Sequence, residues 1–128
     1  MFLTLDLVPC AAQKAAMIIY KIFRDSEWQQ LQNDGVTAGA PIDVTDGYVH
    51  FSTADQVEET AARHFVGEDG LYLLALDADK LDALKWEASR GGALFPHLYR
   101  HLRLDDILWV KPLPLGPDGH QFPELATS

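Results

Sequence analysis

Apolar stretches divide the chain into a strand-rich domain with its helices near the start. The β-branched and aromatic run 17–23, MIIYKIF, predicts a strand. The near-continuous apolar run 71–77, LYLLALD, predicts a central strand that is buried on both faces. Alternation of apolar and charged positions predicts a half-buried strand over 84–87, and ILWVK predicts a last strand over 107–111.

Two short helices are predicted between these strands. The first has Asp25 or Ser26 as its candidate cap and Gly35 as its terminator. The second begins with a capping-box pair, Thr53 and Gln56. Its apolar face is marked at i, i+4 and i+8 by Val57, Ala61 and Phe65.

The remaining segments are interpreted as loops, apart from a short strand, YVHF, at 48–51. Residues 36–47 are rich in Gly, Pro and Asp and predict a loop. Residues 88–102 predict a long irregular stretch. The resulting order, β-α-β-α-β-β-loop-β, favours an α+β fold with a largely antiparallel sheet.

Length and composition set the domain organisation. The chain has 128 residues, enough for one domain with its own core. We expect a globular domain over 17–115, a poorly ordered extension over 1–16 and a loose tail over 116–128. The only cysteine, Cys10, cannot form an internal disulfide and suits a reducing, cytoplasmic location.

Charge and hydropathy exclude two classes of partner. The net charge is −9, with 19 acidic and 10 basic residues, which opposes bulk nucleic-acid binding. A local basic pocket could still hold one anionic small molecule or nucleotide. No apolar run reaches the length of a transmembrane helix, so no membrane partner is expected.

His50 is the first candidate for chemistry. Strand alternation places it with Tyr48 on one face and Val49 on the other. It is either a solvated strand residue or a ligand-binding group. The second interpretation gains from the helix N-terminus that follows, where Ser52 and Thr53 add hydroxyl groups to free backbone N–H groups.

A second candidate cluster lies in the segment EASRGGALFPHLYR. Arg90 can form a bidentate contact with a phosphate or carboxylate, and Tyr99 can stack on a planar ring. Glu87 can stabilise a cationic transition state or accept a proton, and His97 is a further ligand-binding candidate. The alternative is a surface loop that only covers the edge of the core.

The five histidines do not form a metal-binding pattern, because the chain has neither CxxC nor HExxH. We therefore expect no metal site. P-loop, dinucleotide and G-x-S-x-G motifs are also absent from the sequence.

Four segments, in order, resemble the bacterial domain-of-unknown-function 952 family. They are IYKIF with its following tryptophan, DGYVHFST, LKWEASRGGALFPHLYR and ILWV, and the resemblance covers residues 17 to about 113. The family is similar in fold to the ADP-ribosyltransferase superfamily. The resemblance therefore implies a split, strongly bent pair of antiparallel sheets with a nucleotide cleft between them.

The same resemblance implies site residues. His50 would fall at the second motif position of that superfamily, and Tyr20 with Lys21 at the first, where many relatives have a histidine that contacts a ribose of NAD. Lysine can reach a phosphate, but as a flexible point charge rather than a fixed ring. Glu87 is a candidate for the catalytic glutamate.

Three functional hypotheses follow. The first is a cleft for an anionic, nucleotide-like small molecule, without catalysis or with weak catalysis. The second is an NAD-dependent ADP-ribosyl or phosphate transferase in which Glu87 and His50 are catalytic. The third is a structural polar network that binds no ligand.

Overall fold

The computed structural model describes residues 17–125, with the side chain of Arg90 left out. The predicted extension over 1–16, with Cys10, and residues 126–128 lie outside the described residues. The strands are β1 (Ile18–Arg24), β2 (Val36–Thr37), β3 (Val49–His50), β4 (Ser52–Thr53), β5 (Leu71–Asp77), β6 (Leu84–Ala88), β7 (Leu94–Leu98), β8 (Leu102–Arg103), β9 (Ile107–Leu113), β10 (Leu115–Gly116) and β11 (Gly119–His120). The α-helices are α1 (Asp25–Asp34), α2 (Pro41–Asp46) and α3 (Ala54–His64).

A four-stranded antiparallel sheet, ordered β4-β1-β5-β9, forms the centre of the fold. Strands β1 and β5 pair along their whole length, from Ile18 opposite Asp77 to Arg24 opposite Leu71. The prediction that β5 is a central strand buried on both faces is confirmed. Its continuous apolar run is needed because each face of the sheet is covered by a separate core.

The two cores lie on opposite faces of this sheet. Ile19 and Phe23 of β1 join one core with α1 and the smaller sheets, whereas Tyr20 and Ile22 join the other with α3. Burial of each large apolar side chain contributes about 1.5–3 kcal/mol relative to leaving it exposed. Lys21 shares the alternation of Ile19 and Phe23, so it projects towards the first core.

A three-stranded antiparallel sheet, ordered β3-β7-β6, packs beside the main sheet. The interpretation of 88–102 as irregular was wrong, since the segment contains β7 and the first residue of β8. Pro96 lies within the middle strand of this sheet. Its carbonyl accepts the Phe51 N–H at 3.0 Å, on the edge where β3 has already ended, so its missing N–H donor is not required there.

The helices differ from the prediction in their number and in the cap of the first one. Residues 36–47 are not a loop throughout, because they contain β2 and α2, which brings the number of α-helices in the described residues to three. The N-cap of the first helix is Arg24 rather than Asp25 or Ser26. Glu27 accepts the Arg24 N–H at 2.8 Å, which satisfies the helix start without a hydroxyl cap.

The segment around His50 changes sheets. Val49 and Phe51 are buried, as alternation predicts, and the chain passes at Phe51 from β3 in the three-stranded sheet to β4 in the central sheet. The capping box of α3 is confirmed, because the Thr53 N–H donates to Gln56 Oε1 at 3.0 Å. The predicted apolar face of α3 is buried.

The segment after β9 packs back on the domain, in contrast to the loose tail expected from the sequence. Strands β10 and β11 form a hairpin, and His120 Nε2 lies 2.7 Å from the Glu68 carbonyl oxygen. Phe122 and Leu125 pack against the second core. Within residues 17–125, the helices are too short or too polar to cross a membrane.

Candidate functional site

A cavity of about 790 Å³ lies where the two main sheets meet. Strand β1 and helix α3 contribute one side of it, and strands β3 and β7 contribute the other. Its polar and ring-bearing lining includes Lys21, Arg24, Tyr48, His50, Phe95 and His97. The switch of the chain at Phe51 places His50 of one sheet and Ser52 of the other on the same cavity.

Asp43 of α2 is buried beside this cavity, and its carboxylate with the groups that contact it is called the Asp43 hub. One carboxylate oxygen, Oδ2, accepts from Lys21 Nζ at 2.7 Å and from the Ala40 N–H at 2.7 Å. The other, Oδ1, lies 2.6 Å from His50 Nδ1 and accepts the His50 N–H at 3.1 Å. The side chain of Asp43 is fully buried. Four donors from three segments therefore meet at one carboxylate.

The pKa values of this hub follow from burial and charge. Burial raises the pKa of Asp43, but the hydrogen bond from His50 and the charge of Lys21 outweigh it and leave the pKa below 3.8. Burial lowers the pKa of Lys21, and the charge of Asp43 opposes this effect. Asp43 is therefore an ionised carboxylate, and it compensates the buried amine of Lys21.

His50 is engaged by carboxylates at both ring nitrogens. Besides the Asp43 contact at Nδ1, its Nε2 lies 3.0 Å from Asp46 Oδ2. A ring with both nitrogens protonated satisfies both contacts. The side chain is 28% exposed, so it reaches the cavity surface while remaining fixed by its two partners.

A second carboxylate cluster lies on the three-stranded sheet. Glu87 Oε1 accepts from Tyr99 Oη at 2.6 Å and lies 2.8 Å from His97 Nδ1. The hydrogen bonds from Tyr99 and His97 lower the pKa of Glu87, and the bond to Glu87 raises the pKa of Tyr99 to about 12. Glu87 is half-buried, and His97 is only 3% exposed.

Tyr48 connects the two clusters through ring contacts. Its ring stacks on His97 with centroids 4.2 Å apart and an interplanar angle of 28°. It also lies 4.6 Å from the His50 ring and 5.1 Å from the Tyr99 ring. The result is a continuous ring-bearing surface along one face of the three-stranded sheet.

The predicted site residues lie at several places relative to the cavity. Five line the cavity: Tyr20, Lys21, His50, Ser52 and His97. Glu87 and Tyr99 are outside this lining and connect to it through His97. Thr53 is the N-cap of α3, and the side chain of Arg90 lies outside the described part of the structure.

The polar lining groups are largely bonded to protein. Ser52 Oγ lies 2.9 Å from Thr60 Oγ1. Arg24 donates to both carboxylate oxygens of Glu68, at 2.8 and 3.1 Å, and contacts Glu27 at 3.4 Å. Both cations of the wall, Lys21 and Arg24, are therefore compensated by carboxylates. In the described residues, no group of three or more His, Cys, Asp or Glu could hold a metal ion.

Sequence reasoning missed Asp43, Asp46, Arg24 and Tyr48 as parts of this region. A signal was present for Asp43, because Pro41 two positions earlier occupies the first turn of a helix and an acidic residue suits that turn. Its contact with Lys21 joins positions far apart in the sequence, for which a single sequence holds no signal.

Comparisons with known proteins place this geometry in context. The family model described as "Protein of unknown function (DUF952)" matches residues 22–110. The crystal structure of protein CC0527 from Caulobacter crescentus is similar, with a TM-score of 0.78 and 45% identity over 81% of this chain and 93% of that chain. The solution NMR structure of the same protein gives a TM-score of 0.73 at 45% identity, over 81% of this chain and 90% of that chain. None of the curated proteins matches the chain.

Proposed function

The chain belongs to the DUF952 family of proteins of unknown function, and from the chemistry of its cavity we propose that it binds a planar, nucleotide-like small molecule without rapid turnover. The observation that carries the proposal is the ring-lined wall, where the rings of Tyr48, His50 and His97 contact one another, with Tyr48 at centroid distances of 4.6 Å from His50 and 4.2 Å from His97. Such a wall suits a base or another flat heterocycle, which gains from stacking in a partly desolvated site.

The size of the cavity supports the same class of ligand. Its volume of about 790 Å³ falls within the range of small-molecule sites, which is roughly 300–1,000 Å³. The proposal includes an ADP-ribosyltransferase-like fold, expected from the family resemblance, and a cytoplasmic location, which suits a chain with one cysteine.

The carboxylate partners of Lys21 and Arg24 limit what a phosphate group can gain in the cavity. A phosphate group would contact Lys21 or Arg24, and each of these already has carboxylate partners. The planar ring should therefore contribute more to binding than the phosphate does. A phosphate gains from these cations only to the extent that it competes with Asp43 and Glu68.

Calorimetric titration with adenosine, AMP and NAD tests the proposal. We expect binding in the micromolar to millimolar range. Replacement Tyr48→Leu should weaken it by about tenfold or more, because stacking contributes roughly 1–3 kcal/mol per base. Trp86→Leu is the matched control, since strand alternation places Trp86 on the opposite face of the same sheet.

Each comparison in this titration has a defined consequence. No binding of any of the three compounds at millimolar concentration would overturn the proposed function. Equal affinities for adenosine and AMP would overturn a phosphate contact with Lys21 or Arg24. They would leave the binding of the planar ring in place. Tighter binding of AMP would support a phosphate contact with Lys21 or Arg24.

An NAD-dependent transferase is the second candidate function, in which Glu87, held by Tyr99 and His97 beside the cavity wall, would be the catalytic carboxylate that the family resemblance implies. The pKa of this carboxyl is lowered by its bonds to Tyr99 and His97, so it carries the negative charge that would stabilise an oxocarbenium-like centre. Release of nicotinamide from NAD, abolished by Glu87→Gln, would support this candidate. Binding of NAD without any release would exclude it.

A further inference from the structure

The two histidines of the cavity wall differ in the use of their ring nitrogens. His50 has a carboxylate oxygen within 3.0 Å of each nitrogen, from Asp43 and from Asp46. His97 contacts a carboxylate only through Nδ1. In residues 17–125, Nε2 of His97 has no hydrogen-bond partner, although the residue is only 3% exposed. Buried polar atoms without a protein partner are uncommon and call for a ligand or an ordered water.

Glu87 determines which nitrogen of His97 carries the proton. Its carboxylate can only accept hydrogen bonds, so the contact at Nδ1 requires an N–H there. Tyr99 Oη donates to the same oxygen and reinforces its position. In the uncharged imidazole, Nε2 then carries the lone pair and is an acceptor.

His97 lines the cavity, whereas Glu87 is outside the lining. Because Glu87 holds Nδ1, Nε2 is the ring nitrogen of His97 that remains for a ligand in the cavity. The stacked ring of Tyr48, 4.2 Å away, restricts rotation of the imidazole out of this plane.

We propose that Nε2 of His97 accepts a hydrogen bond from the ligand and so selects planar molecules that carry an N–H or O–H donor at their edge. This inference rests on the proposed function and deepens it by naming the ligand chemistry. Glu87 is a positioning residue in this arrangement, because it acts on the ligand only through the His97 tautomer. An amino-substituted heterocycle is the ligand class that fits.

The first test concerns the free protein. Long-range ¹H–¹⁵N correlation spectra of the full chain, labelled with ¹⁵N-histidine, distinguish the two tautomers. We expect His97 to carry its proton on Nδ1, and we expect Glu87→Leu to remove this preference. Protonation on Nε2, or on both nitrogens, near neutral pH would overturn the inference.

The second test compares two probes on the unaltered protein, so it does not depend on any variant folding. Adenosine has an exocyclic amine, and purine riboside lacks it. We expect purine riboside to bind about tenfold more weakly, since an acceptor left unpaired in a buried site is costly. His97→Phe should remove the difference, whereas the exposed control His101→Phe should keep it.

The outcomes separate this inference from the proposed function. Equal binding of the two nucleosides would overturn the role of His97 and leave the ligand cavity standing. Absence of binding by both would overturn the proposed function together with the ligand contact. A persistent tenfold difference in His97→Phe, with a melting temperature near that of the unaltered protein, would place the donor contact elsewhere.

Discussion

Asp43 and Glu87 each hold a histidine of the cavity wall by its Nδ1, at 2.6 and 2.8 Å, yet their surroundings differ. The side chain of Asp43 is fully buried, whereas that of Glu87 is 38% exposed. Asp43 gathers a buried amine and two backbone N–H groups besides His50. Among the described residues, Glu87 has only side-chain donors, and Nε2 of His97 has no hydrogen-bond partner. A carboxylate–histidine pair therefore stabilises the fold at one site, and in our proposal the other pair positions a ligand contact.

Replacement Asp43→Ala should have the largest effect on this comparison. It leaves the ammonium of Lys21 buried without its partner and removes the acceptor of two backbone N–H groups. We expect a loss of about 3–5 kcal/mol in the free energy of unfolding, measured by denaturant titration. The control Asp46→Ala removes a half-exposed carboxylate from the same histidine and should cost only about 1 kcal/mol. Equal losses in the two variants would show that Asp43 is not the hub.

Gly39→Ala should disturb the same hub from the backbone. Gly39 has φ +104°, and a Cβ there would collide with the carboxylate of Asp43. We expect a loss of about 1–3 kcal/mol in the free energy of unfolding. Gly47→Ala is the control, because Gly47 also has a positive φ, +89°, but faces open space. If Gly39→Ala lowered the free energy of unfolding no more than the control does, the Asp43 side chain would accommodate the added Cβ without loss of its contacts.

Acid should reduce the contribution of Asp43 to the free energy of unfolding. The pKa of Asp43 is lower in the folded protein than its ordinary value of 3.8. Its contribution is therefore fully present above that value and is lost as the pH falls through the folded pKa. The difference in unfolding free energy between the unaltered protein and Asp43→Asn should be constant well above pH 3.8 and should narrow as the pH falls below that value. A difference that stays constant below that value would contradict the lowered pKa.

The smallest expected effect concerns Tyr99. Its hydrogen bond to Glu87 raises its pKa from 10.0 to about 12. Since the folded pKa is raised, the stabilisation by this bond is complete below the unfolded value and is lost as the pH rises through the folded one. Ultraviolet titration, with Tyr99→Phe subtracted to isolate the signal, should show the shift. Glu87→Gln should bring the pKa back towards 10.0 with little change in melting temperature.

Local patterns were sufficient for the elements whose burial repeats along the chain. The apolar run of β5 predicts a doubly covered strand, and the capping pair Thr53 and Gln56 predicts the start of α3. Pro96 and the paired glycines concealed β7, because proline normally argues against a middle strand. The carbonyl of Pro96 faces the point where β3 ends, so no N–H of Pro96 is needed for strand pairing there. Only the packed sheet shows that a proline is tolerated in this middle strand.

The sequence alone predicted the α+β class and a largely antiparallel sheet, and the family resemblance implied that Lys21 and His50 lie at one cleft. These follow from periodicity, caps and the family's motif segments. The tertiary structure decided which histidine is free. Asp43 and Asp46 occupy both nitrogens of His50, while Glu87 occupies only one nitrogen of His97. The reason is physical: the hydrogen-bond partners of a side chain depend on burial and on contacts between segments distant in sequence, and local patterns do not encode those contacts.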